Sequence, residues 1–236
     1  MDPSERQPTR DAFLDDYLEK YDRWLERGAI RFSSRIVPVG EALKAEPWIV
    51  PGEQVRSMLR SAWSIAVQDC VCRAHYRRCD RPVEVCLALD ENAERGVEAG
   101  TARRLSLAEA EERIALADRS GLVHMTLYVP QEKVSAICNC CLCCCHEIQL
   151  LKRYGRADLV ARSDFVAKTD EAACVGCGEC VRRCAFDARS MDGGRLRVDE
   201  SACYGCGVCV PACPTGAIRL VRRGMHLSAP PPREAA

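Results

Sequence analysis

A repeat of 29 residues constrains this chain more than any other feature. Residues 170–191, DEAACVGCGECVRRCAFDARSM, lie over 199–220, DESACYGCGVCVPACPTGAIRL; eleven of the 22 positions are identical, all four cysteines among them. Each half reads C-x2-C-x2-C-x3-C: Cys174, Cys177, Cys180 and Cys184, then Cys203, Cys206, Cys209 and Cys213. Three cysteines two residues apart on a tight loop reach three irons of one [4Fe–4S] cubane. Glycines between them let the backbone wrap close and aim amides at the sulfurs. The fourth cysteine opens a short helix that leads away, so it serves the other cluster. Two four-cysteine zinc sites are the competing use of eight thiols, and this spacing fits zinc poorly.

Residues 166–224 resemble the two-[4Fe–4S] ferredoxins of the clostridial type. The resemblance implies one cluster on Cys174, Cys177, Cys180 and Cys213, and another on Cys203, Cys206, Cys209 and Cys184. It also implies a pseudo-twofold βαββαβ unit, with strands near LRVDE (196–200) and AIRLV (217–221). One departure is Cys184-Ala185, where the family usually carries proline, as in Cys213-Pro214. Proline is no ligand, so the ligand set is untouched.

Eighteen cysteines in 236 residues leave ten outside the repeat. The opening MDPSERQPTRDAFLDDYLEK has neither a basic nor an apolar segment of the kind that directs secretion, and no run approaches 18 apolar residues. Vicinal cysteines such as Cys140-Cys141 and Cys143-Cys144-Cys145 make poor disulfide partners. A reducing, cytoplasmic setting with cysteines as metal ligands is the expectation. The 34 basic and 34 acidic residues cancel, which removes the electrostatic case for a nucleic-acid partner.

The pattern predicts an α+β fold in three parts: a mixed helix/strand, cysteine-rich domain at 1–163, a dicluster ferredoxin domain at 164–224, and a disordered proline-rich tail at 225–236. DAFLDDYLEKYDRWLERG reads as a core-facing amphipathic helix closed by Gly28, and residues 50–62 as a second helix. SIAVQDCVC (64–72) reads as a buried strand. LSLAEAEERIALADRSG (105–121) is a helix with a Ser106/Glu109 capping box, and LVHMTLYV (122–129) a strand whose His124 reads as a hydrogen-bonded core residue.

The ten remaining cysteines form two groups. CVCRAHYRRCDRPVEVC supplies Cys70, Cys72, Cys79 and Cys86, enough for one cluster, with Arg73, Arg77, Arg78 and Arg81 to offset its charge. An extended segment at 70–72 would turn both thiols to one face. CNCCLCCC supplies Cys138, Cys140, Cys141, Cys143, Cys144 and Cys145, in three overlapping CxxC pairs, ahead of a helical HEIQLLKRYG. Two further [4Fe–4S] clusters are expected here, one on Cys70, Cys72, Cys79 and Cys86 and the other on four thiols of 138–145; zinc is the alternative.

This pairing of CxCR…C…C with CNCCxCCC ahead of a dicluster domain resembles a family of anaerobe-associated 4Fe–4S binding proteins over residues 35–224, including GLVH and ICNCC. The resemblance implies one N-terminal metal-binding module and nothing about activity. No dinucleotide, phosphate-loop, hydrolase-triad or HExxH motif is present. The expected function is electron transfer, as a polyferredoxin-like carrier or oxidoreductase subunit that passes single electrons through about four clusters to a partner protein. The alternatives are an enzyme subunit binding substrate at an unusual cluster, and a structural zinc or regulatory module fused to a ferredoxin.

Overall fold

Apolar residues in steps of two build the larger sheet of this computed structural model, which describes residues 11–39, 52–130 and 133–224. The proline-rich tail and the first ten residues lie outside the described residues. Helix α1 (Ala12–Glu26) is followed by β1 (Ser34–Val37), α2 (Gly52–Ser61), β2 (Ile65–Asp69), α3 (Val71–Tyr76), β3 (Glu84–Leu89), α4 (Glu91–Glu98) and β4 (Ala102–Arg104). Then come α5 (Leu107–Arg119), β5 (Val123–Val129), β6 (Lys133–Cys140), α6 (His146–Tyr154) and β7 (Val160–Ala161). Seven strands pair in the order β4-β2-β3-β6-β5-β1-β7, and only β1 with β7 is parallel.

Ile65, Val67, Leu87, Leu89 and Ile137 meet Val55, Leu59 and Ala110 of α2 and α5 on one face, while Ala66 and Ala88 meet Ala93 of α4 on the other. Each buried Leu or Ile stabilises by about 1.5–3 kcal/mol relative to exposure, so this core belongs to the N-terminal domain itself. The capping box is present: Ser106 Oγ accepts from Glu109 N–H, and Glu109 accepts from Ser106 N–H at 2.8 Å. His124 is fully buried between Asn139 (2.5 Å) and Asp118 (2.8 Å), a structural histidine. Helix α1 faces inward through Leu14 and Tyr21 and packs on α6.

The strand expected over 64–72 stops at Asp69. Cys70 is the residue that caps α3, and Cys72 already lies inside that helix, so the extended C-x-C reading is corrected.

The C-terminal domain runs β8 (Phe165–Thr169), α7 (Glu179–Arg183), β9 (Arg189–Asp192), β10 (Arg195–Val198) and β11 (Ile218–Arg222). Its first and last strands pair antiparallel, as do β9 and β10. A second helix, matching α7 in the repeat, is replaced by turns over 208–212. The cause is one residue. Arg182 donates its N–H to Gly178 in α7, and its repeat mate is Pro211, which has no N–H to give.

One apolar core joins the domains: Leu14, Ile148, Leu150, Cys140 and Cys145 share it with Phe165, Cys180, Cys203, Cys206 and Cys209. Val39 N–H donates to the Cys206 carbonyl at 2.9 Å, and Ser163 Oγ to Gly205 O at 2.9 Å. Among the described residues no helix is long and apolar enough to cross a membrane.

Candidate metal centres

In the C-terminal domain the eight thiols divide across the repeat rather than along it. A cavity is walled by Cys174, Cys177, Cys180 and Cys213, with Val175, Met191 and Ile218 among its apolar sides. Cys184 is absent from it. Instead Cys184 stands close enough to Cys206 and Cys209 for its charge to bear on both, alongside Cys203. No three of these eight sulfurs lie within 4.8 Å of one another, which leaves room for a body wider than one ion. Burial pushes the Cys209 thiol up to about 12 and raises Cys206 as well, so iron would be what holds these sulfurs as thiolates.

The loops need their glycines. Gly205 has φ +70°, and a Cβ there would sit 2.1 Å from the Phe165 carbonyl oxygen and 2.2 Å from Ser163 Oγ. Its repeat mate Gly176 also has a positive φ, and a Cβ there would sit 3.0 Å from the Gly194 carbonyl oxygen. The two sets differ in exposure: in the first Cys177 is exposed, Cys174 and Cys213 half-buried and Cys180 buried, whereas in the second Cys203, Cys206 and Cys209 are buried and Cys184 half-buried.

Between the sets lies Arg189, 4% exposed, donating to the Ala167 carbonyl at 2.9 Å and to Thr169 Oγ1 at 2.8 Å. Burial works against its charge, but Cys209, Cys180 and Cys203 more than offset this and its pKa stands above the ordinary value. Its repeat mate is the buried Ile218.

The ten N-terminal cysteines gather into two sets, and neither is the grouping expected from the sequence. On β3 and β6 the alternation that sends Leu87 and Ile137 to the α2/α5 core sends Cys86 and Cys138 to the other face, and the Leu87↔Ile137 register makes them neighbours. Cys86 meets Cys138 and Cys70; Cys70 meets Cys72; Cys72 meets Cys145; Cys145 lies 3.2 Å from Cys140; Cys140 meets Cys138. The circuit of six closes on itself. Five of its members are buried and Cys138 is half-buried.

The second set is Cys79 with Cys141, Cys143 and Cys144, whose four sulfurs all lie within 4.8 Å of one another. Cys79 to Cys141 is 3.8 Å, and Cys143 to Cys144 is 3.8 Å. Cys79 thus leaves Cys70, Cys72 and Cys86 to join three thiols of CNCCLCCC. Within that run the outer Cys138, Cys140 and Cys145 go to the ring and the inner Cys141, Cys143 and Cys144 to the second set, because β6 ends at Cys140 and α6 begins after Cys145, with turns between.

Arg73 stands between the two N-terminal sets as Arg189 does between the C-terminal ones. It is 1% exposed, donates to the Pro82 and Asn139 carbonyls, and lies against Cys141 on one side and Cys70 and Cys86 on the other. Burial opposes its charge and the sulfurs outweigh burial. The rest of the basic loop is surface structure: Arg78 donates to the Cys143 carbonyl at 3.2 Å and Arg81 to Gly121 O at 3.1 Å. His146, unassigned by the sequence, stands between Cys72 Sγ (3.0 Å from Nδ1) and the Tyr21 hydroxyl (2.8 Å from Nε2), with Tyr17 stacked on its ring at 3.7 Å. Of Arg73, Arg189 and His146 the sequence pointed to Arg73 alone; Arg189, an arginine where the sister half has isoleucine, and His146 were missed.

Fold and spacing define the C-terminal domain as an iron–sulfur module. Residues 167–220 match the family model described as the 4Fe-4S dicluster domain. No curated protein matches the chain.

Proposed function

We propose that this protein transfers single electrons, taking them up at the exposed cluster of the dicluster domain and relaying them inward. The observation that carries the reading is the division of the eight C-terminal thiols across the repeat into a set that reaches the surface at Cys177 and a set in which Cys203, Cys206 and Cys209 are all buried. A partner would meet the exposed set, where Val175 (66% exposed) and Met191 (38%) offer an apolar landing beside Cys177. The buried set, on Cys203, Cys206, Cys209 and Cys184, would stand behind it. From there the shared core leads to Cys140 and Cys145, so the N-terminal thiols lie on the inward side of the path. The partner would be a larger oxidoreductase and the setting a reducing cytoplasm, where eighteen free thiols and their clusters survive.

The protein's own residues do three things in this scheme. Cysteines hold the irons, buried arginines stabilise the added negative charge, and the apolar shell excludes water and so strengthens each such interaction. The bound clusters supply the one-electron chemistry. Anaerobic reductive titration with a viologen mediator tests the reading. The iron-loaded protein is expected to take up at least two electrons per chain and return them to oxidised mediator; iron-loaded protein that accepts none would overturn it.

A further inference from the structure

We propose that the N-terminal domain holds two unlike metal centres: one zinc ion on Cys79, Cys141, Cys143 and Cys144, and, inside the ring of Cys70, Cys72, Cys86, Cys138, Cys140 and Cys145, an iron–sulfur cluster larger than a single cubane. This rests on the iron–sulfur reading of the chain and departs from the expectation of two matching cubanes.

The zinc site follows from distances. Four sulfurs each ~2.3 Å from one tetrahedral ion stand ~3.8 Å apart. The Cys79–Cys141 and Cys143–Cys144 separations are both 3.8 Å, and all four sulfurs lie within 4.8 Å of one another. A cubane spreads its four thiolates over the width of the cluster as well as over the iron–sulfur bonds, so a set in which all four are mutually close suits one ion instead. Within the same chain, the C-terminal eight contain no such tight group. The thiols draw together where one ion suffices and stand apart where a cluster is required. All four zinc positions are filled by protein, which marks a structural site with no open coordination.

The ring follows from its connectivity. Each of the six sulfurs neighbours two others in a closed circuit, with Cys140 and Cys145 3.2 Å apart and Cys86 and Cys138 side by side across β3 and β6, yet no three of them lie within 4.8 Å of one another. A pair of zinc ions sharing six thiolates would draw sulfurs into mutually close groups of four, which the ring lacks. A single cubane would use four and leave two buried thiols idle against an iron cluster, open to oxidation. A larger cluster uses all six. Two groups stand ready to stabilise its negative charge: the buried Arg73 guanidinium beside Cys70 and Cys86, and the His146 backbone N–H, 3.5 Å from Cys72 Sγ.

Anaerobic iron, sulfide and zinc analysis of the full-length holo-protein, with zinc-edge X-ray absorption, tests both halves. Expected are one zinc with four sulfur neighbours at ~2.3 Å, and irons exceeding the eight of the dicluster domain by more than about four. Cys79→Ser should release the zinc and leave iron unchanged; Cys140→Ser should remove every iron beyond the C-terminal ones and leave the zinc. Sixteen irons with no zinc would overturn the zinc site, and exactly four N-terminal irons would overturn the larger cluster. Where a variant fails to fold, the wild-type metal count and zinc spectrum decide alone. Failure of the underlying iron–sulfur reading would look different, as a protein with no iron at all.

Discussion

In the C-terminal domain, three of the four thiols around each candidate centre come from seven consecutive residues; in the N-terminal domain Cys86 meets Cys138 only because two strands pair. The first arrangement is written in spacing, the second in sheet register. Spacing survives with little surrounding structure, and the C-terminal domain has little: two two-stranded sheets and one five-residue helix. Register demands a core, and the seven-stranded sheet provides one independent of the thiols. Metal and fold therefore depend on each other in opposite senses. The expectation is that the C-terminal domain needs its clusters to fold, whereas the N-terminal domain folds first and so creates its centres.

The largest expected effect follows from that difference. Stripping iron and zinc by anaerobic chelation should abolish hydrogen-exchange protection across residues 165–222 while β2, β3 and β5 keep theirs, because Leu87, Ile137 and their neighbours stay buried without metal. Equal loss in both domains would break the comparison. Gly205→Ala comes next. A Cβ 2.1 Å from a carbonyl at φ +70° should cost more than about 1 kcal/mol and lower the holo-protein's melting temperature by roughly 2–4 °C for each kcal/mol lost. The iron lost should come from the buried set; an unchanged melting curve would count against the packing described.

A smaller effect is electrical. Replacing Arg189 by Gln removes a buried positive charge beside Cys180 and Cys209, and should lower the potentials of the dicluster domain by on the order of 60 mV, a tenfold change in a one-electron equilibrium. Potentials unmoved in a redox titration, at full iron content, would show that the guanidinium serves only its hydrogen bonds. Smallest is Ser106→Ala, which removes the cap of α5 far from every thiol. It should cost about 1 kcal/mol of stability in denaturant melts, with metal content unchanged.

The sequence made the C-terminal candidate ligands legible because a repeat repeats its chemistry. Even there, Pro211 cancelled a helix that the resemblance implied, and Arg189 hid as a mismatch with Ile218. In the N-terminal domain all ten cysteines could be named as candidate ligands, yet not which of them the fold brings together. Cys79 lies between Cys72 and Cys86 in sequence and leaves both in space, since α3 turns the chain before β3 returns it to the sheet. Nor could periodicity see that CNCCLCCC spans a strand end, a turn and a helix start, so that its inner thiols part company with its outer ones. Helices α1 and α5, the Ser106 cap and the buried His124 were readable because each rests on local pattern.

The measurement closest to the central claim is a redox titration of the full-length anaerobic protein followed by electron paramagnetic resonance. An electron relay running from the exposed cluster into the N-terminal ring predicts at least three reversible one-electron steps, two from the dicluster domain and one or more that vanish in Cys140→Ser. Two steps only, both retained in that variant, would contradict it.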